Sequence, residues 1–444
     1  MTDLIAARGL MAMSLAFHII FAVIGLAMPL MMVIVEFRWL RTGEPVYLLL
    51  AKRWAKGAAI FFVIGAISGT VLSFELGLLW PRFMAAAGAL VGMPFSLEGF
   101  AFFMEAIFLG IYLYGWDRVS PRVHLLCGAM VALSGLSSAI FVTFVNAWMN
   151  TPTGFQFADG RFTDIHPWLA MRNPAAVPEA VHMVLAGYCS TGFAAAGIHA
   201  WLLLRNPGSA FHQRALKTAF AVGATAVLLQ GVSGDALARM VAHYQPVKLA
   251  SLEGQFQTER GAPLRIGGLP DVAAQETRYA LEIPSGLSLL AFHDPYATVR
   301  GLDEFPQGDW PPVVLVHLCF QAMVGAGSLL SLAAIAAIWA RWRRKGWLTS
   351  PWALRMLIAV SPLGFVALEA GWMVTELGRQ PWIIHGVMRT AEAVTKTTHL
   401  APVFLTITLL YCCLGTIVVW LLAAHVIQTP TALQVQQSEG VHVS

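Results

Sequence analysis

Long apolar runs recur along the chain and set its organisation. Each extends for about 20 residues or more, enough for a helix to cross a hydrocarbon core roughly 30 Å thick. Backbone groups in lipid must bond within their own segment, so helices are expected rather than open strands. The runs predict nine spans, at about 9–36, 56–79, 95–115, 122–147, 180–204, 214–236, 312–340, 353–377 and 398–426. The expected class is therefore all-α integral membrane. Between about Tyr244 and Pro311 the apolar pattern gives way to a polar stretch rich in Gly and Pro. Loops of that length are usually functional. The chain thus divides into helices 1–6 over 1–243, a loop over 244–311, helices 7–9 over 312–428 and a polar tail over 429–444.

Composition agrees with this pattern. Hydrophobic residues make up 57% of the chain and charged ones 12%, about half the roughly 25% charged content of soluble domains. The first run is too long for a signal peptide and lacks both a basic n-region and a small-residue cleavage site before Glu36, so it is expected to be a true span. Five cysteines fall mainly inside apolar segments, without metal-ligand spacing or a covalent haem-attachment motif. A net charge of +4 is small and scattered, which argues against nucleic acid as a partner.

The basic residues are unevenly placed. Arg38, Arg41, Lys52, Arg53, Lys56, Arg118, Arg122, Arg205, Arg214, Lys217, Arg341, Arg343, Arg344 and Lys345 all fall in or beside the loops after helices 1, 3, 5 and 7. By the excess of Lys and Arg in cytoplasmic loops, those loops are inside. The opposite loops carry acidic residues such as Asp159, Asp164, Glu179 and Asp235. The N-terminus is then expected outside and the C-terminus inside.

Ionisable groups inside spans are costly and usually mark a cofactor, ion path or relay. Here His18, Glu75, Glu98, Glu105, His182, Glu369 and Glu376 fall mostly in the outer half of the membrane, which predicts one polar site near the outer face. Glu98 and Glu105 are seven residues apart, so on a helix they point within about 20° of each other, roughly 10 Å apart along the axis. Such a carboxylate ladder suits proton relay; the alternative is a pair of neutral acids bonding neighbouring helices. His18 and His182 could ligate a flat macrocycle held between helices, with His199, His317 and His399 as rivals. Met323 could complete a six-coordinate site with a histidine, although a Met in a span is ordinarily core filler.

Two stretches are more specific. Glu369-Ala-Gly-Trp-Met-Val-Thr-Glu-Leu-Gly-Arg-Gln-Pro-Trp382 resembles the signature of cytochrome bd oxidase subunit I, and Gln245-Pro246-Val-Lys248-Leu-Ala-Ser-Leu-Glu253 resembles the start of that family's quinol loop. Further matches follow in order from Arg8 to about Trp420. They include Glu98-Gly99, Phe102-Phe103-Met104-Glu105, Gly115-Trp116-Asp117-Arg118, Asn146-Ala-Trp148-Met149 and His182-Met-Val-Leu-Ala-Gly187-Tyr188.

The resemblance implies a haem-bearing subunit of a terminal oxidase in the bacterial cytoplasmic membrane, with its haems in the outer half of the bundle. It would oxidise ubiquinol or menaquinol at the outer face and reduce O₂ to water with protons from the inside, generating proton motive force without a pump. The implied cofactors are a low-spin haem b, a high-spin haem b, and a haem d or a further haem b in its place. His182 and Met323 match the low-spin ligands, His18 a ligand within the close haem pair and Glu369 the ligand of its neighbour. Glu98 matches the carboxylate beside the oxygen site and Glu105 a proton-path residue, while Lys248 and Glu253 match loop residues used in quinol oxidation. Trp372, Asn146 and Arg8 lie in matching stretches and are expected around the haems, and Arg379 and Gln380 at the quinol-side turn. A second membrane subunit is implied, with small single-helix subunits as further partners.

Three positions depart from the family's pattern. Gln321 stands where an Arg is frequent two residues before the low-spin Met, Leu10 where Gln is usual, and Phe365 where Trp is common. Loss of a fixed positive charge at Gln321 predicts a lower potential for the nearby haem. The polar loop is of the short type. A haem-bearing electron carrier or sensor without useful O₂ reduction is the alternative; a secondary transporter is disfavoured by the lack of repeats and the crowding of polar groups toward one face.

Overall fold

The computed structural model describes residues 3–158, 160–343, 346–397 and 400–428. His399, Asp159, Arg344, Lys345 and the tail from 429 lie outside the described residues. Helices dominate: α1 (Asp3–Thr42), α2 (Pro45–Leu79), α3 (Pro81–Tyr114), α4 (Pro121–Asn150), α5 (Pro167–Met171), α6 (Ala176–Arg205), α7 (Ala210–Tyr244), α8 (Pro246–Glu253), α9 (Gly286–Phe292), α10 (Val313–Arg343), α11 (Pro351–Val360), α12 (Leu363–Leu377), α13 (Thr390–Ala393) and α14 (Leu400–His425). Among the described residues, nine helical segments are long and apolar enough to cross a membrane.

Prolines mark where these helices begin. Pro45, Pro81, Pro121 and Pro351 sit in first turns, where the missing N–H costs nothing and the fixed φ suits the helix. The span expected over 353–377 is present as Pro351–Leu377, with its helix interrupted at Ser361-Pro362 into α11 and α12. Pro362 cannot donate to the ladder, which interrupts the hydrogen bonds although Ser361 and Pro362 both keep helical backbone angles. Continuous apolarity hid that break.

The polar segment after α7 is folded throughout its length. Helix α8 follows α7 after the single residue Gln245. Beyond it, β1 (Glu259–Arg260) pairs with β6 (Thr298–Val299), β2 (Leu264–Ile266) with β5 (Leu281–Ile283), and β3 (Leu269–Asp271) with β4 (Glu276–Arg278), all antiparallel and nested. The loops on this end of the bundle are knit together. His385 N–H donates to Met149 O at 3.0 Å and Thr395 N–H to Leu79 O at 2.8 Å, while Arg389 reaches the Gly308 carbonyl and the Asp309 carboxylate. At the other end Arg214 pairs with Glu44 at 2.9 Å, joining the α1–α2 and α6–α7 turns.

Candidate functional site

His182, near the start of α6, and Met323 of α10 line one cavity of about 690 Å³, together with Asn146, Lys248, Glu253 and Trp372. That volume lies within the roughly 300–1,000 Å³ of cofactor and small-molecule sites. The His182 ring is oriented by Ser233. Its Nδ1 lies 3.0 Å from Ser233 Oγ, and that hydroxyl already donates its one proton to Gln230 O at 3.0 Å. Nδ1 must therefore carry the hydrogen and donate, which leaves Nε2 as a bare lone pair, the form a metal needs. A Cβ on Gly371 would come within 3.0 Å of Met323 Sδ. Glycine there lets the thioether seat directly against α12.

The same relation recurs at His18 of α1. Its Nδ1 lies 3.0 Å from Ser68 Oγ, and that hydroxyl donates to Ile64 O at 2.8 Å, so here too Nε2 is left free. A Cβ on Gly69 would stand 2.9 Å from the ring. One turn earlier on α1, Ser14 donates to Glu75 of α2 at 2.8 Å. Ile19 and Val23 of α1 pack with Leu368 of α12, against Met183, Phe365 and Trp372. The elements bearing His18, His182 and Glu369 thereby share one packing cluster. Glu369 Oε1 is buried without a hydrogen-bond partner among the described residues.

Rival histidines are differently engaged. His317 has both ring nitrogens on backbone carbonyls, Leu252 O at 2.8 Å and Gly267 O at 3.1 Å. His199 spends its Nδ1 on His212 Nδ1 at 3.0 Å.

Helix α8 carries the polar segment's contribution to the cavity. Pro246 starts it and Gly254 ends it in the left-handed region, φ 61°, which glycine adopts without strain. Buried Lys248 donates to Asn150 Oδ1 at 2.6 Å, and Asn150 Nδ2 lies 3.2 Å from Thr375 Oγ1. Asn146 Nδ2 bonds Glu376, which also accepts from Arg379 at 2.6 Å. Glu179 acts on this group electrostatically. Burial pushes the Lys248 ammonium down to about 8, opposed by Glu179, and pushes the Glu253 carboxyl up to about 8, opposed by Arg265. Among the described residues, Glu253 Oε2 has no partner, and neither do Arg379 Nε and Nη1. Gln380 Oε1 accepts from Thr390 at 2.9 Å.

Glu98 and Glu105 share α3 as expected. Glu98 accepts from Ser138 of α4 at 3.2 Å, and Glu105 is buried against Gly135, whose added Cβ would stand 3.3 Å from its Oε2. Arg8 lies exposed on α1, apart from these clusters. Gln321 Oε1 accepts from Gly267 N–H at 3.0 Å and its Nε2 donates to Arg265 O at 3.0 Å, so this position ties the nested strands to the Met323 helix. Leu10 is buried in an apolar cluster and Phe365 packs beside Trp372. Sequence reasoning missed Ser68, Ser233, Asn150 and Thr375, whose partners are remote in sequence.

Comparison with known proteins gives the family. The family model described as cytochrome bd terminal oxidase subunit I matches residues 6–430. The chain is 36% identical to a putative cytochrome bd menaquinol oxidase subunit I of Bacillus subtilis, over 99% of this chain and 100% of that one. It is 31% identical to the cytochrome bd ubiquinol oxidase subunit 1 of the same organism, over 95% and 93%. The solved structure of bd oxidase from Geobacillus thermodenitrificans superposes with a TM-score of 0.91 at 38% identity, covering 96% of this chain and 99% of that one. The chain belongs to the cytochrome bd terminal oxidase subunit I family, as a multi-pass protein of the bacterial cytoplasmic membrane.

Proposed function

We propose that this chain is the haem-bearing subunit of a quinol oxidase that passes electrons from membrane quinol to O₂. The observation that carries the reading is the state of two histidines. Among the described residues His18 and His182 each have Nδ1 held by a serine whose proton is committed elsewhere, so each offers a free Nε2.

His182 and Met323 would hold a low-spin haem b in the cavity they line, with Asn146 and Trp372 beside it. His18 would hold one of a second, closely placed pair, comprising a high-spin haem b and a haem d or further haem b. Glu369 is assigned to the neighbour of that haem. Glu376 is a rival, because it lies one heptad along the same helix and is held by Arg379 and by Asn146, which lines the cavity. When bound, the haems supply one-electron transfer and O₂ reduction. The chain supplies ligation, substrate placement and proton handling.

Quinol, ubiquinol or menaquinol, would enter beside α8 and the Gly378–Trp382 turn, within the segment 244–311 and the loop after α12. A carboxylate in that dry position can accept a proton from a quinol hydroxyl, and Glu253, partnerless at one oxygen, is placed for it. Lys248 and Arg379 balance the charge of Glu179 and Glu376 nearby. Gln380 fixes the turn through Thr390.

The end bearing these loops is assigned to the outer face, because the basic residues crowd the opposite end. That orientation places the N-terminus outside, the C-terminus inside and the haems in the outer half. Protons for O₂ would come from the inside and reach the oxygen site by Glu105 and Glu98, while quinol protons leave outside. Proton motive force follows from that separation without a pump. The apolar helix faces leave room for the family's second membrane subunit and for small single-helix subunits.

A reduced-minus-oxidised spectrum of the purified complex, measured beside quinol-dependent oxygen uptake in vesicles, tests the reading. Low-spin and high-spin haem bands, brisk uptake and outward acidification are expected. Haem bands without uptake would make it a carrier instead, and uptake without acidification would overturn the proton separation.

A further inference from the structure

At the basic end of the bundle, far along the chain from the cavity, lies a buried polar pair that the proposed electron path does not use. Glu36, near the end of α1, is fully buried, and His124, in the first turn of α4, is 2% exposed. His124 Nδ1 lies 2.8 Å from Glu36 Oε1, and its Nε2 lies 2.9 Å from the backbone oxygen of Tyr112. A carbonyl oxygen can only accept, so Nε2 carries a hydrogen. The Nδ1 to carboxylate contact then needs one more proton, either on the ring facing a carboxylate or on the carboxyl facing the ring. In both arrangements the pair is electrically neutral and holds one transferable proton. Losing it would leave an uncompensated carboxylate in a dry interior, which is costly.

A purely structural clamp would leave its polar atoms satisfied. Here two are not. Among the described residues, Glu36 Oε2 and the Tyr112 hydroxyl are both buried beyond hydrogen-bond distance of any partner, yet they lie near enough that Glu36 acts on the hydroxyl both by its charge and as an acceptor. The unspent acceptor and the unspent donor are the groups through which a proton can arrive and leave.

Tyr112 also continues a row. Glu98, Glu105 and Tyr112 follow one another at intervals of seven along α3, so they lie within a narrow stripe, in steps of roughly 10 Å each. All three face α4: Glu98 through Ser138, Glu105 against Gly135, and the Tyr112 ring against Gly128, where an added Cβ would come within 2.7 Å. Steps of that length exceed one hydrogen bond, so water must bridge them. Toward the basic end the pair is covered by Trp116, whose ring centroid is 3.9 Å from that of His124 and carries Lys52 5.3 Å from its face. Cys127 is the other titratable group in the field of Glu36.

We infer that Glu36 and His124 form the proton-loading site of this chain, taking protons from the inner aqueous side past Trp116 and passing them along the Tyr112, Glu105 and Glu98 stripe of α3. Each transfer moves one proton from the pair to the next acceptor, and the pair regains one from the inner side. The inference rests on the oxidase reading.

The test uses the purified complex with Glu36→Gln, His124→Gln and Tyr112→Phe, each compared with the parent. Three readouts are needed: the haem spectrum, anaerobic reduction of the haems by quinol, and oxygen uptake in H₂O and D₂O. Spectrum and anaerobic reduction should match the parent, because electron entry lies at the other end. Uptake should fall at least about a hundredfold in the two Gln variants, the lower end of what removing a positioned proton donor costs, with a larger D₂O effect. Parent-like uptake with a parent-like isotope ratio in a fully haem-loaded Gln variant overturns the inference. If neither Gln variant assembles, Tyr112→Phe decides: it keeps the ring packing and removes only the unpartnered hydroxyl, and an unchanged isotope ratio there overturns the inference. A parent complex without oxygen uptake removes the oxidase reading and the inference together.

Discussion

The two ends of the bundle handle buried charge in opposite ways. At the loop-bearing end Lys248 and Glu179 line a cavity, and Asn150 and Asn146 link Lys248 to Glu376 and Arg379, with Arg379 donors and a Glu253 oxygen left over among the described residues. At the basic end one carboxylate and one imidazole, both buried, close on each other under aromatic rings. Leftover donors and acceptors facing a space fit a substrate or a haem carboxylate. A sealed neutral pair fits a proton. The difference predicts that damage at the first end stops electrons from entering, whereas damage at the second leaves electron entry intact and slows only the use of oxygen.

The largest effect belongs to the first end. His182→Ala should abolish the low-spin haem band while the high-spin bands persist, read in a reduced-minus-oxidised spectrum. Retention of the band would remove His182 from the ligand set. On α12, Glu369→Ala and Glu376→Ala sharpen the same point, since the variant that loses a high-spin band identifies the carboxylate ligand.

Next in size is a pH effect at Glu253. Burial raises its carboxyl from the ordinary 4.5 to about 8, and the proton-accepting form is the carboxylate. Anaerobic haem reduction by quinol should therefore climb as pH rises through about 8, and Glu253→Gln should be slow and flat with pH. A parent-like climb in that variant would exclude Glu253 as acceptor. For stability the sign is the reverse. The folded chain holds this proton where the unfolded chain has released it, so the Glu253 contribution falls as pH rises from about 4.5 to about 8.

Ser233→Ala should act more mildly. The His182 ring would lose the partner that fixes its tautomer, and outer-shell losses of this kind typically cost about 10–100-fold in metal affinity or activity. Partial low-spin occupancy, restored by Ser233→Thr, is the expected result in a haem assay; full occupancy in the alanine variant would remove the orienting role.

Much of this was legible in the chain itself. The nine spans follow from apolar run length, although α2 and α3 begin at Pro45 and Pro81, well before the runs expected from 56 and 95, and the Gln245–Glu253 signature forms α8 beside the cavity. What the sequence withheld depends on contacts between remote segments. Ser68 and Ser233 look like any small residue in a helix until the ring nitrogen 3.0 Å away is seen. Gln321 was legible only as a missing charge, whereas in three dimensions it fastens Gly267 and Arg265 to the helix of Met323. Glu36 and His124, 88 positions apart, gave no signal of pairing. The break at Ser361-Pro362 was visible as a proline but outweighed by the apolar run around it.

The smallest effect sharpens the comparison most finely, because it changes spacing without removing a polar group. In Gly371→Ala the new methyl would meet Met323 Sδ at 3.0 Å. The thioether is the far part of a flexible side chain and can yield by a few tenths of an ångström, so the fold should survive at a cost below roughly 1–3 kcal/mol, the range for overpacking. A displaced thioether binds iron less well, and an axial Met raises the potential of a haem relative to weaker ligation. The low-spin band should therefore persist with a lowered midpoint potential in a redox titration, while the high-spin bands stay in place. An unchanged low-spin potential would mean that the sulfur is not the second ligand, and the cavity would then need a different partner for His182.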